Sequence, residues 1–313
     1  MISSTRRAAA VLSRCFSVLV LVFALAHAPL RAQPEDAASE DARMQAAQAL
    51  VGSLAFKEGD FKIADADATL HVGDGFHYLE AADARRVLEK YWGNPEDDSV
   101  LGMVLPKSPT LLEEKAWVVV VTYADEGHVD DEDAANADYA EMLEDMQAST
   151  FAGNDALKAA GYSTVELIGW AAPPRYDSAA KKIHWAKELR FDGSPEHTLN
   201  YDIRVLGRSG YLSLNAVSGM SELKTVEAGM QKVLAFTEFD PGQRYADFNS
   251  KTDKVAAYGV AALVAGGLAS KAGLFAKLGV FLLAGKKLLI PLGIGIAALF
   301  SRYRKKKANE VSA

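Results

Sequence analysis

The sequence is short of the features that announce a chemistry. It has one cysteine in 313 residues, Cys15. That excludes an internal disulfide and any thiolate metal cluster. No Gly-x-Ser-x-Gly elbow, His-Glu-x-x-His pair, glycine-rich phosphate loop or dinucleotide fingerprint occurs. His71, His77, His128, His184 and His197 have no metal-ligand spacing, so neither a metal nor a cofactor is expected. Cationic surface is scarce where a nucleic acid would need it. Residues 33–250 carry 39 acidic against 19 basic groups, which argues against any phosphate-neutralising surface.

What is present sits first at the two ends. Residues 1–32 carry four arginines and no acid. Arg6 and Arg7 precede an apolar run, Phe16–Ala26, followed by small residues at Ala26, Ala28 and Ala32. This is the pattern of a cleaved export signal, and Cys15 would leave with it. At the other end, residues 251–313 carry eleven basic groups and two acids. Residues 255–275 are apolar apart from Lys271, and 21 helical residues cover about 30 Å, a hydrocarbon thickness. A second apolar stretch, 278–300, is split by Lys286 and Lys287 and carries Pro291. The tail 301–313, with Arg302, Arg304 and Lys305–Lys307, favours the cytoplasmic side. An exported domain with a cytoplasmic tail needs an odd number of crossings. One crossing at 255–275 is expected, with 278–300 lying in the interface; a two-crossing hairpin is the alternative. Ala262, Gly266 and Ser270 repeat at four-residue spacing, which would permit close packing against a membrane-protein partner.

Between the ends, residues 33–250 read as an α+β domain with a mainly antiparallel sheet and flanking helices. Residues 43–53 could form a short helix. Phe61–Ile63 and Ala68–Val72 flank a polar turn and predict a hairpin. Ala81–Tyr91 has helical spacing, and Val100–Leu105 reads as a strand. Trp117–Val121, apolar throughout, predicts a strand covered on both faces. A long helix is expected within 131–160, with Asp130 or Asp131 as its N-cap. The acidic run at His128–Asp133 fails the calcium-loop pattern, which needs glycine at its sixth place. A last helix is expected over about 221–236.

Four further strand segments carry the candidate site. Val165–Trp170 leads to Pro173-Pro174-Arg175-Tyr176, read as a rigid loop whose Arg175 and Tyr176 could meet a partner. Lys182–Phe191, Thr198–Leu206 and Tyr211–Val217 alternate apolar and polar residues. Matching apolar faces sets Phe191 against Leu199, Trp185 against Val205 and Leu206 against Tyr211. The opposite face then collects His184, Glu188, Arg190, Asp202, Arg204 and Asn215, together with Asn200 and Ser213. Two readings of that face compete: a solvated ladder of ion pairs, or a covered polar groove with Arg190 and Arg204 as anion clamps and a Glu188/Asp202 pair available for acid–base work.

These segments carry a family resemblance. Gly169–Asp177 (GWAAPPRYD), His184–Leu189 (HWAKEL), Thr198–Arg208 (TLNYDIRVLGR), Leu214–Val217 (LNAV), Arg244–Asn249 (RYADFN) and Asp253–Phe275, with Tyr91–Pro95 and Trp117–Tyr123 upstream, resemble the bacterial domain of unknown function 2167 family. Its members are described as uncharacterised membrane-anchored proteins. The resemblance spans roughly residues 45–300. It implies a bacterial origin, an exported domain and a C-terminal anchor; with the leader and the basic tail, the expected location is the inner membrane with the domain facing the periplasm. It implies no reaction. Sequence alone thus favours a non-enzymatic binding or interaction module of the envelope; an envelope hydrolase and an accessory subunit of a membrane transporter are the alternatives.

Overall fold

The computed structural model describes residues 34–266 apart from positions 95, 135 and 136. The expected export signal, the stretch 278–300 and the basic tail lie outside the described residues. The chain opens with a helix, α1 (Pro34–Gly52), longer than the 43–53 expected. The predicted hairpin follows as β1 (Gly59–Ile63) and β2 (Ala68–Val72), joined by a turn at Ala64–Ala66. Then come β3 (Phe76–Glu80) and a short helix α2 (Ala81–Arg85) that widens into a π turn over Arg86–Tyr91. Next are β4 (Gly102–Pro106), β5 (Val118–Ala124) and β6 (His128–Asp130).

A long helix, α3 (Tyr139–Ala159), leads into four sequential strands, β7 (Val165–Asp177), β8 (Lys182–Phe191), β9 (Thr198–Leu206) and β10 (Tyr211–Gly219). The described chain ends with α4 (Leu223–Ala235), β11 (Thr237–Phe239), β12 (Val255–Gly259) and α5 (Val260–Val264). The N-cap of α3 is Asp138, whose carboxylate accepts from the Ala140 and Glu141 amides at 3.0 Å, rather than Asp130 or Asp131.

Seven strands form one antiparallel sheet in the order β3-β4-β5-β10-β9-β8-β7. A small sheet β1-β2-β11 stands beside it. The α+β class with mainly antiparallel pairing is as the alternation predicted. β5 is apolar in its first four positions because both sheet faces are covered there. One face packs Leu199, Tyr201, Ile203, Leu212, Leu214 and Ala216 against Val226, Met230 and Val233 of α4 and against the small sheet. The other face carries two separate apolar clusters. One gathers Leu79, Met103, Val118 and Val120 with Val87 and Leu88. The other gathers Val129, Ile183, Trp185, Leu206 and Tyr211 with Tyr258, Val260, Leu263 and Val264.

The expected rigid loop at Pro173–Tyr176 is part of β7, which runs on to Asp177 through register shifts. β7 is an edge strand, where proline is tolerated because no neighbour needs its N–H. Helix α3 closes that edge. Gln147 Nε2 donates to the Leu167 and Ile168 carbonyls at 3.2 and 3.1 Å, and Asn154 both donates to and accepts from the Val165 backbone at 2.9 Å.

The expected span 255–275 does not begin as a membrane helix. Residues 255–259 are β12, paired in parallel with β6, and residues 260–264 are the short α5. Tyr258, Val260, Leu263 and Val264 are buried in the domain. Among the described residues no helix is long and apolar enough to cross a membrane. The small-residue stripe also dissolves: Ala262 lies in α5, whereas Gly266 lies beyond its end at φ +92°, so the two are not on one continuous helix. Close approach explains Gly127 instead. At φ +100° it lies against the 254–256 backbone, where a Cβ would meet the Lys254 carbonyl oxygen at 2.8 Å.

Candidate functional site

β9 is buried at every position, and its Asn200, Asp202 and Arg204 side chains make a polar belt beside the two apolar clusters. Asn200, Asp202 and Arg204 of β9 stand beside Val217, Asn215 and Ser213 of β10. On the other side, β8 sets Lys187 opposite Asn200, Trp185 opposite Asp202 and Ile183 opposite Arg204. Thr122 of β5, opposite Ser213, extends the row. Asp202 is 2 % exposed and Arg204 3 %.

Asp202 is the hub of the belt. Its Oδ1 accepts from Arg204 Nη1 at 3.0 Å and from Asn215 Nδ2 at 2.9 Å, and its Oδ2 faces Lys187 Nζ at 3.1 Å. Asn215 Nδ2 also donates to Asn200 Oδ1 at 2.7 Å. The Arg204 guanidinium lies 5.0 Å from the Trp185 ring centre and 6.0 Å from that of Tyr211, and Nη1 donates to the Ile203 carbonyl at 3.3 Å. Burial alone would raise the Asp202 pKa; Lys187 and Arg204 overturn that and hold the carboxyl below the usual range. Burial pushes the Tyr211 hydroxyl up to about 12. Three buried polar atoms in the belt have no hydrogen-bond partner: the donors Arg204 Nε and Trp185 Nε1, and Asp202 Oδ2, whose contact is the ion pair with Lys187.

The residues singled out from the sequence divide between the two faces. β9 and β10 pair as expected, with Leu206 opposite Tyr211, and Asp202, Arg204 and Asn215 share a face. β8 is displaced by three residues from the expected register: Trp185 faces Asp202 rather than Val205. An odd displacement exchanges the two sides of a strand. His184, Glu188 and Arg190 therefore lie on the far side from the belt. His184 stacks parallel to Tyr201 at 6.3 Å, and burial lowers its pKa. Glu188 is bound to His197 (2.5 Å), and Arg190 to Glu166, its cross-strand neighbour on β7. The Glu188/Asp202 pair expected for acid–base work does not form, and Arg190 does not join Arg204 as an anion clamp. The solvated-ladder reading also fails for β9, whose charges are buried. Sequence reasoning missed Lys187, Trp185 and Thr122. The signal for Lys187 was there: a charge at an odd position between Trp185 and Leu189 interrupts an otherwise apolar row.

A second cluster fixes the chain that follows the core strands. Asp131 Oδ2 accepts from Tyr176 at 2.5 Å and Lys181 at 2.7 Å, and Oδ1 accepts from Tyr245 at 3.0 Å. Burial raises the Asp131 pKa, but these donors outweigh it and lower it. Tyr176 is thus tied inward rather than offered at an exposed tip, while Arg175 remains exposed. The His128 ring is packed between Tyr245 (4.2 Å) and Phe248 (3.9 Å). Arg208 grips Asp253 through both Nε and Nη2, at 2.7 and 2.9 Å. Asp133 accepts from the Ala261 amide at 3.1 Å, and Tyr258 donates to Glu126.

The molecule is therefore an α+β domain whose central sheet carries a closed polar belt and whose chain beyond the sheet is stitched back onto it. A model of the family described as Protein of unknown function (DUF2167) matches residues 55–297, and the chain belongs to that family. No curated protein matches the sequence. Among solved structures, the chain is similar to cyanobacterial PsbP (CyanoP) from Synechocystis sp. PCC 6803, at 13 % identity and TM-score 0.33, covering 60 % of this chain and 93 % of that one. It is also similar to the Saccharomyces cerevisiae Ran-binding protein Mog1p, at 10 % identity and TM-score 0.32, covering 60 % and 96 %.

Proposed function

We propose that this chain is a membrane-tethered module of the bacterial cell envelope, facing the periplasm, that binds a ligand or partner rather than transforming one. The observation that carries the binding reading is the chemistry of the belt. It offers a guanidinium, an ammonium, amides and hydroxyls, and its one carboxylate is already engaged by Arg204, Asn215 and Lys187. A carboxyl held below its usual pKa is a poor proton donor and a weak base near neutrality. Such a set holds a ligand better than it moves protons. The tether is supported by the leader-like residues 1–32, the basic tail and the apolar sequence after Gly266. Residues 255–264 are committed to the domain, so on this reading the tether is supplied by sequence beyond them. Its partners on this reading are the bilayer and a membrane protein beside it.

Cell fractionation with protease treatment of spheroplasts tests the tether. The chain should sediment with the inner membrane, its domain should be digested from outside, and the lysines at 305–307 should be protected. Recovery in the soluble fraction, or cleavage at 305–307 from outside, overturns it.

A further inference from the structure

We propose that the belt binds an oxyanion, a carboxylate or phosphate group seated against Arg204 and Trp185. The proposal deepens the binding reading and rests on it. Both side chains are almost fully buried, Trp185 at 1 % exposure, and each has a polar hydrogen with nothing to receive it: Arg204 Nε and Trp185 Nε1. Buried donors in folded proteins are rarely left without an acceptor. Two of them occur on one sheet face, on adjacent strands, with the guanidinium 5.0 Å from the indole ring. One ligand group can span both.

The charges agree with the hydrogen bonds. Lys187 and Arg204 bring two cations to a site whose contacting side chains supply one carboxylate, Asp202. Arg204 is buried and Lys187 only partly exposed, and cations so poorly solvated are unfavourable unless anions balance them. The next acid to make itself felt is Glu126, which acts on Tyr211 and is itself pushed toward the neutral form by burial. A water molecule would satisfy one donor and leave the surplus charge; an oxyanion satisfies both. The geometry of arginine suits the task. Nη1 is occupied by Asp202 and the Ile203 carbonyl, which leaves the Nε edge, the side from which a guanidinium can present paired donors to two oxygens. Lys187, with 22 % of its side chain exposed, marks the rim by which the anion would enter.

The test uses the purified full chain in detergent and follows thermal unfolding by intrinsic fluorescence. The probes are sodium phosphate, sodium succinate and a short-chain phosphatidylglycerol, each against sodium chloride at matched ionic strength. At least one probe should raise the midpoint progressively with its concentration, as a ligand specific for the folded state must. The responding arm tells a free phosphate, a free carboxylate and a lipid headgroup apart. Arg204→Gln and Arg204→Lys should abolish the response. Trp185→Phe keeps an aromatic ring but loses the donor, so it should weaken the apparent Kd by about tenfold, the effect of one lost hydrogen bond. That variant keeps the test decisive if the arginine variants do not fold. No response beyond chloride, or a Kd unchanged in Trp185→Phe, overturns the proposal. Failure here leaves the fractionation result standing, and failure of the tether leaves this result readable.

Discussion

Replacing Leu263 by alanine asks whether the start of the apolar C-terminal sequence belongs to the bilayer or to the domain. Leu263 is buried in α5, in the cluster that holds Val129, Ile183, Trp185, Leu206, Tyr211 and Tyr258. Truncating a core leucine removes its transfer free energy and leaves a cavity that neighbours fill only in part, at a cost of about 2–5 kcal/mol. The surroundings here include three aromatic rings, those of Trp185, Tyr211 and Tyr258, and a sheet, which close only part of such a cavity. A mid-range loss of about 3 kcal/mol lowers the melting temperature of a domain this size by roughly 6–12 °C. The assay is thermal unfolding of the purified chain, read by near-ultraviolet circular dichroism of the domain aromatics. A lipid-facing leucine in a membrane span would leave the domain transition where it was. An unchanged midpoint would refute the placement of residues 255–264. The same reasoning predicts that a chain ending at residue 250 fails to fold, whereas one ending at 266 folds. The shorter chain lacks Tyr258, Val260, Leu263 and Val264 and leaves β6 unpaired.

Other consequences are as direct. Asp202→Asn removes the anion between Lys187 and Arg204 and should destabilise the domain by about 3–5 kcal/mol in a urea titration; Arg204→Met, which leaves Asp202 its ion pair with Lys187, should cost less. Because the folded-state pKa of Asp202 is depressed, its contribution is fully present above the unfolded carboxylate pKa and is lost as pH falls through the folded value. Wild-type stability should therefore drop in the acid range by more than that of Asp202→Asn; equal acid sensitivity would count against the ion pair. Gly229 of α4 lies against the Trp117 ring, where an added Cβ would come within 2.4 Å, so Gly229→Val should destabilise by about 1–3 kcal/mol in the same titration.

The fold was legible where a local rule left one choice. The β9–β10 register follows from the short Gly207–Gly210 connection, and the all-apolar β5 announced a strand covered on both faces. The β8–β9 register was not legible because the six residues from Asp192 to His197 do not fix it. Apolar matching then set Trp185 beside Val205, on the assumption that one sheet face is wet. β9 is buried on both sides, so its charged alternation marks a belt inside the domain. Half of the candidate site was thus named from sequence, the residues on β9 and β10. The half on β8 was inverted together with its strand. The apolar run from Val255 has the length of a membrane span, and length alone does not reveal that Asp253, Tyr258 and the Ala261 amide have partners on the domain at Arg208, Glu126 and Asp133.

The central claim is that the charges of β9 are enclosed. Arginine-selective labelling of the folded chain with phenylglyoxal, mapped by mass spectrometry, tests it most directly. Arg190, with 53 % of its side chain exposed, should label readily, while Arg204 should label only after denaturant is added. Labelling of Arg204 in the native chain at the rate of Arg190 would contradict the account.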